Sequence, residues 1–354
     1  MLTSRSTLTL LAAFAALGGF FSFANAQSVA TTPVGAMTYS FAATGGSPVT
    51  SYMAVPLNNP SVYSGPVASL SSTTVTFAGT PFSAGQLAQA GSPFFARIST
   101  GAQAGRTVLI TANTTNSITL DVTDHSSQTT NLDASGFAVA VGDRIEVIVG
   151  DTLASFFGDN TSGNPVIFPS TAFLSSSDTL SIYNKATAKF STYFYSTTLG
   201  YWRLSNSTVN ANNTVLYPED AVGILRRANR LATSITVLGE VPAVKPLTKI
   251  TSASSVFASI RVPAPMTLAQ LQLANWTKSN FLSSADTVSI YNSATGRFDV
   301  YFQRADNSQW RKSGGGTVDQ SSLVIQPDSV VGYLKRGSVS EATSYLSSPL
   351  PYTL

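Results

Sequence analysis

Few residues in this chain are equipped for chemistry. There is one histidine, His125, and no cysteine among 354 residues. Nucleophilic sets of the Ser-His-acid or Cys-His kind need a base that titrates near neutrality, and histidine is the usual one. His125 sits in Asp121-Val122-Thr123-Asp124-His125-Ser126, inside a Ser/Thr/Asn-rich stretch, and no Gly-x-Ser-x-Gly elbow occurs. It is read as an exposed loop histidine. One histidine without cysteine falls short of the usual nitrogen and sulfur ligand set for zinc. Asp121, Asp124 and Asp133 offer oxygen ligands, but in no EF-hand or nonapeptide pattern, so neither metal nor cofactor is expected.

Carboxylate pairs and aromatic surfaces remain. Glycoside hydrolysis needs only two carboxylates, and two acidic positions occur in duplicate, Asp178 with Asp286 and Glu219 with Asp328. An Asp before a strand and an acid after Pro are ordinary turn formers, which is the reading preferred here. No catalytic residue is assigned. Tyr193, Tyr301, Trp202 and Trp310 are also duplicated and could form a sugar-stacking or protein-binding platform. They could equally lie under a second sheet as ordinary core, and that reading is preferred.

The duplicates arise because the chain repeats itself. Phe173 to Arg203 aligns with Phe281 to Arg311 without a gap, and 17 of 31 positions are identical. Self-similarity at a fixed spacing marks one structural unit used twice. The repeat opens with Thr152-Leu153-Ala154 and Thr267-Leu268-Ala269, and the first copy carries about seven extra residues, centred on Asn160 to Pro165. It closes with Pro218 to Arg227 against Pro327 to Arg336.

Period-two alternation predicts the elements that position these residues. Leu180 and Ile182 alternate with Thr179 and Ser181, as Val288 and Ile290 do with Thr287 and Ser289. The next strand places Phe190, Thr192 and Phe194 on one face, matched by Phe298, Val300 and Phe302. Upstream, Phe94 to Ile98, Arg106 to Thr111 and Ser117 to Val122 are separated by Gly/Asn turns, as in antiparallel hairpins. In Arg144 to Val149, Ile145, Val147 and Val149 form the inward set. The only helical segments expected are Thr152 to Phe157 and Thr267 to Leu273.

The expected architecture is all-β: an N-terminal antiparallel β domain followed by two homologous tandem β-sandwich or barrel-like modules. The boundaries are a signal peptide at 1–26, the N-terminal domain at 27–150, and the modules at 151–248 and 249–354. Arg5, the apolar run Leu8 to Phe23 and Ala24-Asn25-Ala26 have the form of a secretory signal. No later apolar run approaches the ~20 residues of a membrane-spanning helix. Charged residues make up 10% of the chain, against about 25% in ordinary soluble domains. The net charge of +3 is too small to predict nucleic-acid binding, and the one dense basic cluster, Arg226-Arg227 with Arg230, is read as a solvated strand end.

Pro33-Val34-Gly35, Ser99 to Arg106 with Ile110 to Asn113, Gly142-Asp143 with Asp151 to Ala154, and the closing Pro-acid/Gly/Arg strand together carry a likeness. The chain resembles a family of uncharacterised secreted proteins known from verrucomicrobial genomes, over nearly all of its mature length. The resemblance implies export, β structure and bacterial origin, and brings no catalytic residues. The leading expectation is a secreted or cell-surface structural or adhesive protein without enzymatic activity, whose partner is an extracellular glycan or another surface protein. The alternatives are carbohydrate binding through the duplicated aromatics, a polysaccharide-active enzyme, and an outer-membrane barrel.

Overall fold

A computed structural model describes residues 33–354 apart from 122, 124–131, 133–138, 162, 186, 251–254, 272, 274 and 338–344. The expected signal peptide, His125, Asp124 and Asp133 lie outside the described residues. The protein is all-β, as the alternating pattern predicts.

The first two strands, β1 (Val34–Phe41) and β2 (Val49–Ala54), are followed by a separate barrel. Its strands are β3 (Ser61–Ser71), β4 (Thr74–Phe77), β5 (Ala88–Gln89), β6 (Ser92–Ile98), β7 (Thr107–Asn113), β8 (Ser117–Leu120) and β9 (Arg144–Val149). The pairing order β6-β7-β8-β4-β3-β9 closes because β9 also pairs with β6, from Phe94↔Val149 to Ile98↔Ile145. A six-stranded barrel is narrow enough to be filled by side chains. Val75, Phe77, Ile98, Val108, Ile118 and Ile145 occupy it, all nearly inaccessible. Register shifts at Ser61/Tyr63, Val67/Ser69 and Ile110/Ala112 supply local bends of the kind closure requires. Strict alternation fails at Ile148, which is buried on the outside of the barrel beside Phe95.

The chain then runs through β10 (Asp151–Thr152), helix α1 (Leu153–Phe157), β11 (Thr179–Asn184), β12 (Lys189–Ser196), β13 (Tyr201–Leu204), β14 (Val215–Leu216), β15 (Ala221–Arg226) and β16 (Thr233–Glu240). Four of these join β2 in an antiparallel sheet, ordered β13-β12-β11-β15-β2, while β1 pairs with β16 and β10 with β14. Val49–Ala54, grouped with the N-terminal domain in the sequence division, is therefore the edge strand of a sheet built from residues beyond 178. No local pattern announces a pairing across so long a separation.

The remaining elements repeat that arrangement. They are β17 (Leu247–Lys249), β18 (Ser255–Ser259), β19 (Met266–Thr267), the 3-10 turn Leu268–Leu271, β20 (Thr287–Asn292), β21 (Arg297–Gln303), β22 (Trp310–Lys312), β23 (Val324–Ile325), β24 (Val330–Leu334) and β25 (Tyr345–Ser347). The second sheet runs β22-β21-β20-β24-β18, with ribbons β17–β25 and β19–β23. The turn that starts each half is held in the same way. Thr152 and Ser155 exchange backbone and hydroxyl hydrogen bonds (2.8 and 3.2 Å), and Thr267 and Gln270 do likewise (2.7 and 3.3 Å). This is the reciprocal capping box, which satisfies otherwise orphaned donors at a helix start.

The two sheets meet through reciprocal contacts. The Tyr183 hydroxyl donates to the Ser255 carbonyl, and Tyr291, its counterpart in the repeat, donates to the Thr50 carbonyl at 3.0 Å. Phe257 stacks on Tyr183 and Phe190 with ring centroids 5.4 and 5.3 Å apart. Tyr52 stacks on Tyr291 and Phe298 at 4.5 and 5.2 Å. Residue i meeting j while j′ meets i′ is the signature of an isologous, two-fold interface.

Candidate ligand-binding surfaces

The duplicated acids hold the sheets together. Asp178 and Asp286 are 1% and 0% exposed. Asp178 accepts a hydrogen bond from the Arg227 backbone N–H (2.8 Å) and from Arg230 Nε (2.8 Å), with Arg226 Nε 3.9 Å away. Asp286 accepts from the Arg336 backbone N–H (2.7 Å) and from Lys335 Nζ (3.1 Å). The adjacent guanidinium in each case fastens the preceding loop, Arg227 to the carbonyls of Ser177 and Leu174, Arg336 to those of Ala285 and Leu282. A carboxylate so enclosed has no path to a glycosidic oxygen. Glu219 forms a buried ion pair with Lys185 at 2.6 Å, for which the second repeat has Ser293 and Asp328 at the aligned positions. Asp121 accepts from the Thr123 amide and hydroxyl (3.0 and 2.7 Å). Among the described residues no three histidines, cysteines or acids come together as a metal site.

The four candidate aromatics lie apart and mostly inside. Trp202 and Trp310 are 1% and 3% exposed, and the Trp202 indole N–H donates to the Gly158 carbonyl at 2.6 Å. Tyr301 is 4% exposed and belongs to the core of the second sheet. Burial and the nearby Asp299 carboxylate raise its phenol, while Lys312 opposes them. Tyr193 is the most exposed of the four. It lines a groove of about 330 Å3 with Tyr183, Tyr217, Asn184, Ser191 and Asp220. Burial pushes the Tyr193 phenol up, hydrogen bonds from Ser191 and Thr214 oppose this, and Asp220 adds to the rise. A second cleft lies where the barrel meets the first sheet, between Phe95, Ile148, Phe157 and Tyr217, with Asp151 at its edge. Its free space of about 60 Å3 is well below that of an organic-ligand site.

Two exposed side chains escaped the sequence reading. Phe173 and Phe281, the first residues of the aligned repeats, are 71% and 72% exposed. Their loops are closed by turn hydrogen bonds. The Phe173 carbonyl accepts from the Ser176 and Ser177 amides (3.3 and 3.1 Å), and the Phe281 carbonyl accepts from those of Ser284 and Ala285 (3.1 and 3.2 Å). The available signal was an aromatic repeated outside any alternating run, within Phe-Leu-Ser-Ser.

Comparison of the chain with protein-family models, with curated proteins and with solved structures finds no match. Among the described residues no helix is long and apolar enough to cross a membrane.

Proposed function

We propose that this chain is a secreted or cell-surface structural or adhesive protein without enzymatic activity. It consists of two copies of one β module, joined as a pseudo-two-fold pair, with the barrel inserted between β2 and β10 of the first. The resemblance to a family of secreted verrucomicrobial proteins is in keeping with export.

The exposed Phe173 and Phe281 carry this reading. An aromatic held on a hydrogen-bonded loop reaches a partner at low ordering cost and is the usual kind of interface anchor. Both loops are clamped from beneath by the same Asp–Arg arrangement, so each copy presents its ring in the same way. Two anchors on one body add avidity of roughly 10²- to 10⁴-fold when both engage.

The test is retention of purified mature protein on cell envelopes of the producing bacterium. The wild type is expected to sediment with them, each of Phe173→Ser and Phe281→Ser to weaken retention, and the double variant to lose it. Since both residues are exposed, thermal stability should stay within ~0.5 kcal/mol of wild type. A double variant retained as well as the wild type refutes the assignment.

A further inference from the structure

One strand edge in the first module is open where its counterpart in the second is covered. β1 pairs only with β16, in a register that runs unbroken from Val34↔Glu240 to Phe41↔Thr233. In an antiparallel pair, successive residues turn their backbone groups alternately toward the partner strand and away from it. One end fixes the phase. The backbone amides of Asn58 and Glu240 donate to each other's carbonyls at 3.1 and 2.7 Å, on the side of β16 away from β1. Glu240 thus turns away from Val34, and the N–H and C=O groups of Val34, Ala36, Thr38 and Ser40 point out along the free edge of β1. All four residues are exposed. Among the described residues no hydrogen bond reaches those backbone groups.

Elsewhere the chain closes its own edges. On β13 the Ala211 amide donates to the Trp202 carbonyl (2.7 Å) and the Trp202 amide to Asn212 Oδ1 (2.8 Å). On β22 the Gln320 amide donates to the Trp310 carbonyl (2.8 Å) and the Trp310 amide to Ser321 Oγ (3.3 Å). The telling comparison is β17, which pairs with β25 as β1 pairs with β16 and so holds the place of β1 in the second module. There the outward edge is occupied. The Leu247 amide donates to the carbonyl of Gly105 in the barrel at 3.1 Å, and the Leu247 carbonyl accepts from the Arg261 guanidinium at 3.0 Å. With the barrel engaged at β17, no described segment is left to cover β1.

We propose that β1 pairs with β1 of a second copy of this chain, antiparallel across a two-fold axis. Natural edge strands are protected from such pairing by shortness, charge, proline or a bulge. β1 is 8 residues long, carries no charge and no proline, and has no register shift. Two copies therefore meet without the like-charge repulsion that destabilises facing strands. With Val34 opposite the partner's Ser40 and Ala36 opposite the partner's Thr38, every outward N–H meets a carbonyl, and the contact closes as a dimer. β16 offers no equal edge, because Asn58 already occupies its Glu240 end. The proposal does not rest on Phe173 or Phe281.

The test is the mass of the purified mature chain in analytical ultracentrifugation over a concentration series. The wild type is expected to reach twice the chain mass. Thr38→Pro deletes one outward N–H that the single chain does not use, at an edge position where proline is tolerated, and should stay monomeric throughout. The Ala36→Glu/Thr38→Glu and Ala36→Lys/Thr38→Lys variants each set like charges opposite one another across the axis. Each should be monomeric alone, and an equimolar mixture should recover the dimer, which also shows that both are folded. A monomeric wild type, a variant that dimerises alone as the wild type does, or a mixture that stays monomeric overturns the proposal. So does a dimer lost on removal of residues 27–32, which would put that segment, and not β1, on the edge.

Discussion

At the scale of single residues, the duplicated polar positions are consumed by structure. Asp286 is fully buried and takes hydrogen bonds from the Thr277 and Arg336 amides (2.8 and 2.7 Å) besides the Lys335 ammonium. Buried ion pairs are weak evidence of net stabilisation, because desolvation offsets the attraction, but removing one partner strands the other charge. Asp286→Ala should therefore cost about 3 to 5 kcal/mol, read as a lower midpoint in urea unfolding. A loss under about 1 kcal/mol, the range of an exposed pair, would mean that Lys335 is hydrated in solution. Duplication of Asp178 and Asp286 was legible from sequence, as was their place before a strand. Their cationic partners were not. Arg226 and Arg227 read as a solvated strand end, since spacing does not reveal that Arg226 turns inward to the carbonyls of Phe41 and Ala42, in a segment far upstream.

At the scale of elements, the strands themselves were the most legible part. Period-two runs such as Leu180/Ile182 and Val288 with Ile290 mark β11 and β20, and Leu180 and Val288 prove fully buried. Less legible was why one glycine stands in both closing strands. Gly223 pairs with Tyr52 and Gly332 with Phe257, and each aromatic ring lies across its glycine. A Cβ on Gly332 would stand 3.0 Å from the Phe257 ring and 3.2 Å from the Ser289 Cβ. Because Phe257 also packs on Tyr183 and Phe190 of the other sheet, the strain would reach the interface. Gly332→Ala should cost about 1 to 3 kcal/mol, the usual cost of overpacking. Gly45→Ala, which meets no neighbouring atom, is the control and should stay within ~0.5 kcal/mol. Equal melting temperatures for the two variants would show that the ring does not rest on the glycine.

At the scale of the whole molecule, the repeat predicted all-β structure and a second use of one pattern, whereas the long-range pairings lay beyond it. The barrel leaves and rejoins the first sheet at neighbouring points, since Ser61 lies opposite Ile148. It is tied back by Arg97, which bridges Glu146 at 2.6 Å and Glu240 of β16 at 3.0 Å. On its other side the Arg261 guanidinium donates to the Thr107 hydroxyl at 2.9 Å and to the Leu247 carbonyl at 3.0 Å. None of these partners is near the other in sequence, so no periodicity could pair them. The same holds where the two sheets join, at the bridge between Asp220 and Ala258 and the 3.0 Å hydrogen bond from the Ser259 amide to the Glu219 carbonyl. The absence of native cysteine makes that junction directly testable. Paired positions in an antiparallel bridge have Cα atoms about 4.5 to 5.5 Å apart, within disulfide reach. The decisive measurement is oxidation of an Asp220→Cys/Ala258→Cys variant at low protein concentration, followed by peptide mapping. The reciprocal joining of the two sheets predicts an intrachain disulfide in nearly every molecule. Two free thiols, or cross-links only between chains, would contradict it.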